Sequence, residues 1–189
     1  TETSLSEAFD TSQDNIDART QRLTIGGIKV ALLPKKNRGE LVNVSLQLRI
    51  GDEKSLFGRK TAGQFAGQML TRGTTKYTRT QLTDEFEKLK VSGRPGGSGA
   101  ALQTTRPNLE AALRLTAHVL REPTFPEGEF EQLRNQTITG IMAQLSEPSA
   151  RASDALARHF NTYPVGDWRY SSSLEEALED AKAVKLEDV

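Results

Sequence analysis

A chain of 189 residues in which 25 Lys and Arg balance 25 Asp and Glu has no net charge, and so lacks the basic surplus that a nucleic-acid partner requires. Its length suits one domain, or a large piece of one, that buries roughly 70% of its unfolded surface without help from a metal or a disulfide. The absence of Cys excludes disulfides and thiolate chemistry, and no apolar run reaches the roughly 18 residues of a membrane-spanning helix.

Residues 1–19 are polar with scattered Leu5, Phe9 and Ile16, and read as a linker or tail tied down through Phe9. The acidic, polar start is unlike a secretory signal. It also lacks an initiator Met, so a fragment or processed form is expected and the compartment stays open. Order is expected over 20–189. Gln21–Ile25 and 28–33 are β-rich runs separated by Gly26-Gly27, the signature of a two-residue hairpin turn. Lys35, Lys36 and Arg38 fall in a polar connection and read as a solvated turn. Residues 41–50 alternate, with Val42, Val44, Leu46, Leu48 and Ile50 on one side and polar residues on the other, as in a strand with one wet face.

The stretch 61–74 reads as a helix with Ala62, Phe65, Ala66, Met69 and Leu70 on the buried stripe and Gly73 closing it as a C-cap. Gln64, Gly67 and Gln68 occupy the opposite face. Thr80 predicts the N-cap of a second helix burying Leu82, Phe86 and Leu89. The glycine-rich stretch 92–99 reads as a flexible hairpin loop, because a phosphate loop would open a helix and carry Lys-Ser/Thr. A lesser alternative is that its glycines admit another backbone at close range, as for an extended peptide. A strand over 100–105 follows, then a helix opened by Pro107 with Leu109, Leu113, Thr116 and Leu120 inward. Pro126 starts the longest helix, with Phe130, Leu133, Thr137, Ile141 and Leu145 inward, and Pro148 restarts one through Ala152, Leu156 and Phe160. After an aromatic loop at 161–171, Ser173 and Glu176 form a capping-box pattern for a last helix ending near Ala183. Strands first, then helices with a strand pair between, point to an α+β fold: helices on one face of a mainly antiparallel sheet.

Chemistry is hard to place on this frame. His118 and His159 are the only histidines and share no local motif, so each reads as a surface or capping residue. No Ser stands in a Gly-x-Ser-x-Gly setting after a strand, though a Ser–His–Asp arrangement assembled by the fold stays open. Glu129 and Glu131, like Glu175 and Glu176, read as solvated helix faces. Gly67 and Gly140 lie inside predicted helices, where each costs about 1 kcal/mol relative to Ala. Close packing is the plain explanation.

Several segments together resemble the pitrilysin/insulinase family of zinc metallopeptidases, the inverzincins, over 20–189. They are Arg22-Leu23-Thr24-Ile25-Gly26-Gly27-Ile28-Lys29-Val30, Met69-Leu70-Thr71-Arg72-Gly73-Thr74, the stretch from Leu120-Arg121-Glu122-Pro123 to Phe130-Glu131, and Tyr163-Pro164-Val165-Gly166-Asp167. The family's H-x-x-E-H motif supplies two His ligands and a Glu base. It falls on Gln64-Phe65-Ala66-Gly67-Gln68, and the third ligand, a Glu, on Gly140. All four catalytic positions, Gln64, Gly67, Gln68 and Gly140, have thus lost their chemistry, and no zinc is expected in this segment.

The resemblance implies a non-catalytic domain of a clamshell-shaped zinc peptidase. It would help to enclose peptide substrate while a homologous domain or subunit carries zinc and cuts. The domain itself is expected to be inactive, with no membrane span and no nucleic-acid partner. The alternative is a structural or interaction module like the family's inactive relatives in respiratory-complex cores and processing-peptidase partners. Similarity to bacterial members suggests the periplasm or cell envelope, with the cytoplasm as the other option. The family also implies a returning strand beyond the position of Val189, which leaves a sheet position open. Separately, Gly67 and Gly140 are expected on helices that face one another, with the metal's place taken by close approach or water.

Overall fold

Gly26 and Gly27 take φ angles of +55° and +83°, and across them β1 (Gln21–Ile25) pairs antiparallel with β2 (Ile28–Leu32). Two successive left-handed residues match the right-handed twist of the flanking strands, and glycine adopts that conformation without a Cβ clash. The computed structural model describes residues 6–189, so Leu5 of the expected tail lies outside the described residues. A second antiparallel sheet holds β3 (Leu41–Gln47), β4 (Ser92–Gly96) and β5 (Gly99–Thr105) in the order β3-β5-β4. With helices α1 (Gln13–Arg19), α2 (Lys60–Met69), α3 (Arg79–Lys88), α4 (Leu109–Arg121), α5 (Glu127–Ser146), α6 (Pro148–Phe160) and α7 (Leu174–Ala183), the fold is α+β as expected.

The alternation of β5 decides where the helices sit. Ala100, Leu102 and Thr104 are buried, while Ala101 and Gln103 face outward. On the buried face lie Leu82 and Phe86 of α3 and Ala112, Leu115 and Val119 of α4, with Val44 and Leu46 of β3 packed at the side. On the open face, Gln103 Nε2 donates to Asn43 Oδ1 across the strand pair at 2.8 Å. A second core joins α2 to α5: Phe65 and Met69 meet Phe130, Leu133 and Val184, with the Phe65 and Phe130 rings 5.8 Å apart. Burying side chains of this size stabilises the fold by about 1.5–3 kcal/mol each.

Several expectations need correction. Residues 1–19 contain a helix, α1, capped by Ser12, and Phe9 is held between the cations of Arg19 and Lys35. The strand starting at Leu41 ends at Gln47, although Leu48 still donates its N–H to Ser98 O. Leu70, not Gly73, caps α2; Gly73 instead makes a β-bridge with Thr78. Thr78, not Thr80, caps α3, because Gln81 stands at the third helical position and returns the hydrogen bond. The stretch 92–99 is no loose loop: Ser92–Gly96 is a strand, paired from Ser92↔Gln103 to Gly96↔Gly99. α4 follows a short 3₁₀ turn at Arg106–Asn108, and it presents Ala112, Leu115, Thr116 and Val119 to the core while Leu113 is exposed. The expected α7 cap is present: Ser173 and Glu176 complete the box.

Among the described residues, the outer edge of β3 has no strand partner, and the β1–β2 hairpin forms a sheet of its own. Leu23, Ile25, Ile28 and Leu32 on that hairpin are exposed. No helix of the described residues is long and apolar enough to cross a membrane.

Candidate functional site

α2 is amphipathic, and its two faces have different fates. Phe65 and Met69 go into the core shared with α5, so Gln64, Gly67 and Gln68 must point the other way. There they line a cleft of about 840 Å³. The turn at Gly96, Gly97 and Ser98, packed against α2 at Gly67, lines it as well, and so does Trp168, 49% exposed. Three of the four positions on which the resemblance would put the motif are therefore gathered in one place. Gly140 is not in that wall: it is exposed on α5, and a Cβ built on it would meet nothing within 4 Å.

Gly67 has a specific reason to be glycine. A Cβ there would lie 2.9 Å from Gly97 N and 3.1 Å from Gly97 Cα. The close approach is between a helix and a β-turn, and the glycine-rich stretch supplies the other backbone. The helices that carry Gly67 and Gly140, α2 and α5, do pack together through Phe65 and Phe130, but nothing lies within 4 Å of a Cβ at Gly140, and the close approach at Gly67 is made by Gly97 instead.

The rim of the cleft is cationic. Arg72, only 10% exposed, pairs with Glu129 at 2.9 Å, and Arg79 shares that carboxylate at 3.3 Å. Lys60 Nζ donates to Tyr170 O, and Arg59 precedes the first turn of α2. These residues escaped the sequence reading, which looked for acids and metal ligands. A signal existed nonetheless: Lys60, Gln64, Gln68 and Arg72 recur every four residues along one side.

The loop carrying Trp168 is clamped. Arg169 donates to both Asp167 oxygens at 2.9 and 2.8 Å and to Glu53 at 3.0 Å, while its guanidinium lies 4.2 Å from the Tyr163 ring centre. The hydrogen bonds from Arg169 hold the Asp167 carboxyl down at about 2, and the same pairing pushes Arg169 upward.

Whether this face suits zinc is a question of donor chemistry. Gln64 and Gln68 offer neutral amide oxygens where zinc sites use imidazole, thiolate or carboxylate, and Gly67 offers no side chain at all. The set does not fit zinc. Among the described residues no group of three or more His, Asp or Glu side chains is placed to hold a metal ion.

His118 has a different environment. Its Nε2 lies 3.0 Å from Thr74 Oγ1, and its Nδ1 3.5 Å from Glu122 Oε1. The order Thr–His–Glu is that of a proton relay. Yet the Thr74 hydroxyl, on a residue 7% exposed, accepts the N–H groups of Lys76 and Tyr77, and the cleft does not reach it. The cluster ties the segment between α2 and α3 to the end of α4. Thr75 donates to Glu122 Oε2 at 2.6 Å, and that hydrogen bond holds the Glu122 carboxyl below its ordinary range. His159 stacks edge-on against exposed Phe160.

No family model matches this sequence, and no curated protein matches it. Solved structures do match. The chain is similar to a peptidase M16 inactive domain from Pseudomonas fluorescens, with a TM-score of 0.70 and 20% identity over 89% of this chain and 41% of that one. It is also similar to a protease from Helicobacter pylori, with a TM-score of 0.67 and 14% identity over the same shares of the two chains. These likenesses show that the chain shares the fold of part of each of those two structures. The chain spans 41% of the length of these two structures.

Proposed function

We propose that this domain is a non-catalytic part of a zinc peptidase of the pitrilysin/insulinase type. It walls a chamber that holds peptide substrate, and hydrolysis takes place in a homologous domain or subunit that carries the zinc. The carrying observation is the coincidence of place. The cleft of this fold opens over Gln64, Gly67 and Gln68, where the motif would stand, and keeps an 840 Å³ space with none of the ligands. A cleft of this volume falls in the range of about 300–1,000 Å³ common for ligand sites.

The test uses the purified chain. Elemental analysis should find no stoichiometric zinc, a quenched-fluorescence peptide library should show no turnover, and peptides should perturb Trp168. Tight one-to-one zinc, or cleavage by this chain alone, would overturn the reading.

A second reading, a structural or interaction module, is favoured by α6. It has no buried residue, and Leu156 and Phe160 are 59% and 73% exposed. A partner that co-purifies and lacks H-x-x-E-H would favour this reading; one that carries the motif would favour the first.

A further inference from the structure

The cleft over α2 has an asymmetry that the peptide-holding reading does not itself require. Four cationic side chains line it, Arg59, Lys60, Arg72 and Arg79, and no carboxylate does. Glu129 is the single acid paired with Arg72 and Arg79, so two guanidinium groups share one counter-charge. Among the described residues, neither Arg59 nor Lys60 has a carboxylate within 4 Å, although Arg169 nearby is doubly paired, with Asp167 and Glu53. The first turn of α2 carries no acidic residue and no side-chain cap, which adds the positive end of the helix dipole to the same end of the cleft.

Acids do lie beyond α2, in a second cleft of about 580 Å³ that Arg59 and Lys60 also border. Asp167 pairs with Arg169, and none of the others forms an ion pair with Arg59 or Lys60 among the described residues. Glu176 accepts the Ser173 N–H, Asp180 accepts the Thr61 hydroxyl, and Asp188 accepts the Lys185 N–H, while Glu187 pairs with Lys185.

We propose that the cleft over α2 selects an acidic stretch of peptide. Carboxylates of the ligand meet Arg59 and Lys60 at one end and the under-neutralised pair Arg72 and Arg79 at the other. The Gln64 and Gln68 amides, with both donors and acceptors, satisfy peptide groups between them. Trp168 covers an apolar or proline side chain. The partner class follows from charge complementarity: four cations against the one carboxylate of Glu129 leave a positive surplus that favours anionic segments and repels basic ones. This rests on the peptide-holding role proposed above and narrows it to acidic substrates.

Trp168 is the only tryptophan in the chain, so its fluorescence reports on the cleft directly. The 189-residue chain is titrated with a ten-residue peptide bearing four Glu, and with counterparts carrying Gln or Lys at those positions. The Glu peptide should bind about tenfold or more tighter than the Gln peptide, and salt near 1 M should erase most of that advantage as screening shortens to about 3 Å. Arg59→Glu should abolish the preference and Arg59→Lys should keep it. The Arg59 side chain makes no hydrogen bond or ion pair among the described residues, so neither change removes a fold contact. Equal binding of the Glu and Gln peptides overturns the acidic preference while leaving the peptide-holding role standing. Tighter binding of the Lys peptide overturns the preference as well. No response to any of the three overturns both.

Discussion

Replacing Gly67 and Gly140 by Ala, one at a time, should change stability in opposite directions. In a helix interior, Ala is better than Gly by roughly 0.5–1 kcal/mol, because less backbone entropy is lost on folding. At Gly140 nothing lies within 4 Å of the new methyl group, so the full gain should appear. At Gly67 the methyl would sit 2.9 Å from Gly97 N and 3.1 Å from Gly97 Cα, well inside the roughly 3.5–4.0 Å of a favourable contact. The obstacle is backbone, and it is anchored. Gly96 and Gly99 pair across the turn, and Ser98 O accepts the Leu48 N–H at 2.9 Å. Overpacking of this kind costs about 1–3 kcal/mol, which exceeds the propensity gain. The net expectation for Gly67→Ala is a loss of about 1 kcal/mol, or about 2–4 °C in Tm for a chain this long. Gly140→Ala should raise Tm by about 1–4 °C. Thermal and urea unfolding followed by far-UV circular dichroism measure both. If the two variants are stabilised alike, the close contact between α2 and the Gly97 turn does not exist.

Phe130→Ala should cost about 3–5 kcal/mol, since Phe130 is almost fully buried against Phe65; a urea midpoint shift worth under 1 kcal/mol would refute that packing. Ser173→Ala removes the hydroxyl that accepts the Glu176 N–H and should cost about 1 kcal/mol by chemical denaturation, with no change in the slope against urea. For Asp167, the folded carboxyl is held at about 2 against an ordinary 3.8, so its contribution is complete above the ordinary value and disappears as pH falls through the folded one. A carboxyl titration followed by carbon NMR should find it ionised when exposed carboxyls are already protonated, and Asp167→Asn should remove that part of the acid sensitivity. An Asp167 titration near 3.8 would contradict the Arg169 clamp.

The sequence was most legible where one local rule has one solution. Gly26-Gly27 between β-branched runs admits little but a tight hairpin, and Ser173 with Glu176 fixes the start of α7. Where two rules compete, the reading slipped. Thr78 and Thr80 are both capable caps, and the choice lies with Gln81, whose side chain reaches back to Thr78. In α4 the large residues Leu109, Leu113 and Leu120 drew the stripe. The sheet takes the phase through Ala112, Leu115 and Val119, where a small residue lets the helix sit close. The 92–99 stretch scores as a breaker by composition, and pairing with β5 overrides that, because strand formation there depends on residues near 100 rather than on its own side chains. Of the site, the face of α2 that carries Gln64, Gly67 and Gln68 was legible, because Phe65 and Met69 claim the other face for the core. The cationic rim was legible only in part: Lys60 and Arg72 share a four-residue spacing with Gln64 and Gln68, whereas Arg79 joins them only when α2, α3 and the turn at Gly97 are assembled.

The contact between Gly67 and Gly97 also bears on protein engineering. Grafting Gln64→His and Gln68→His onto α2 would install two imidazoles one helical turn apart. The proton acceptor that a hydrolase needs would have to grow from position 67, straight into a turn held by its neighbours. Anyone converting this scaffold into a working hydrolase must redesign the β4–β5 connection first, and only then the helix.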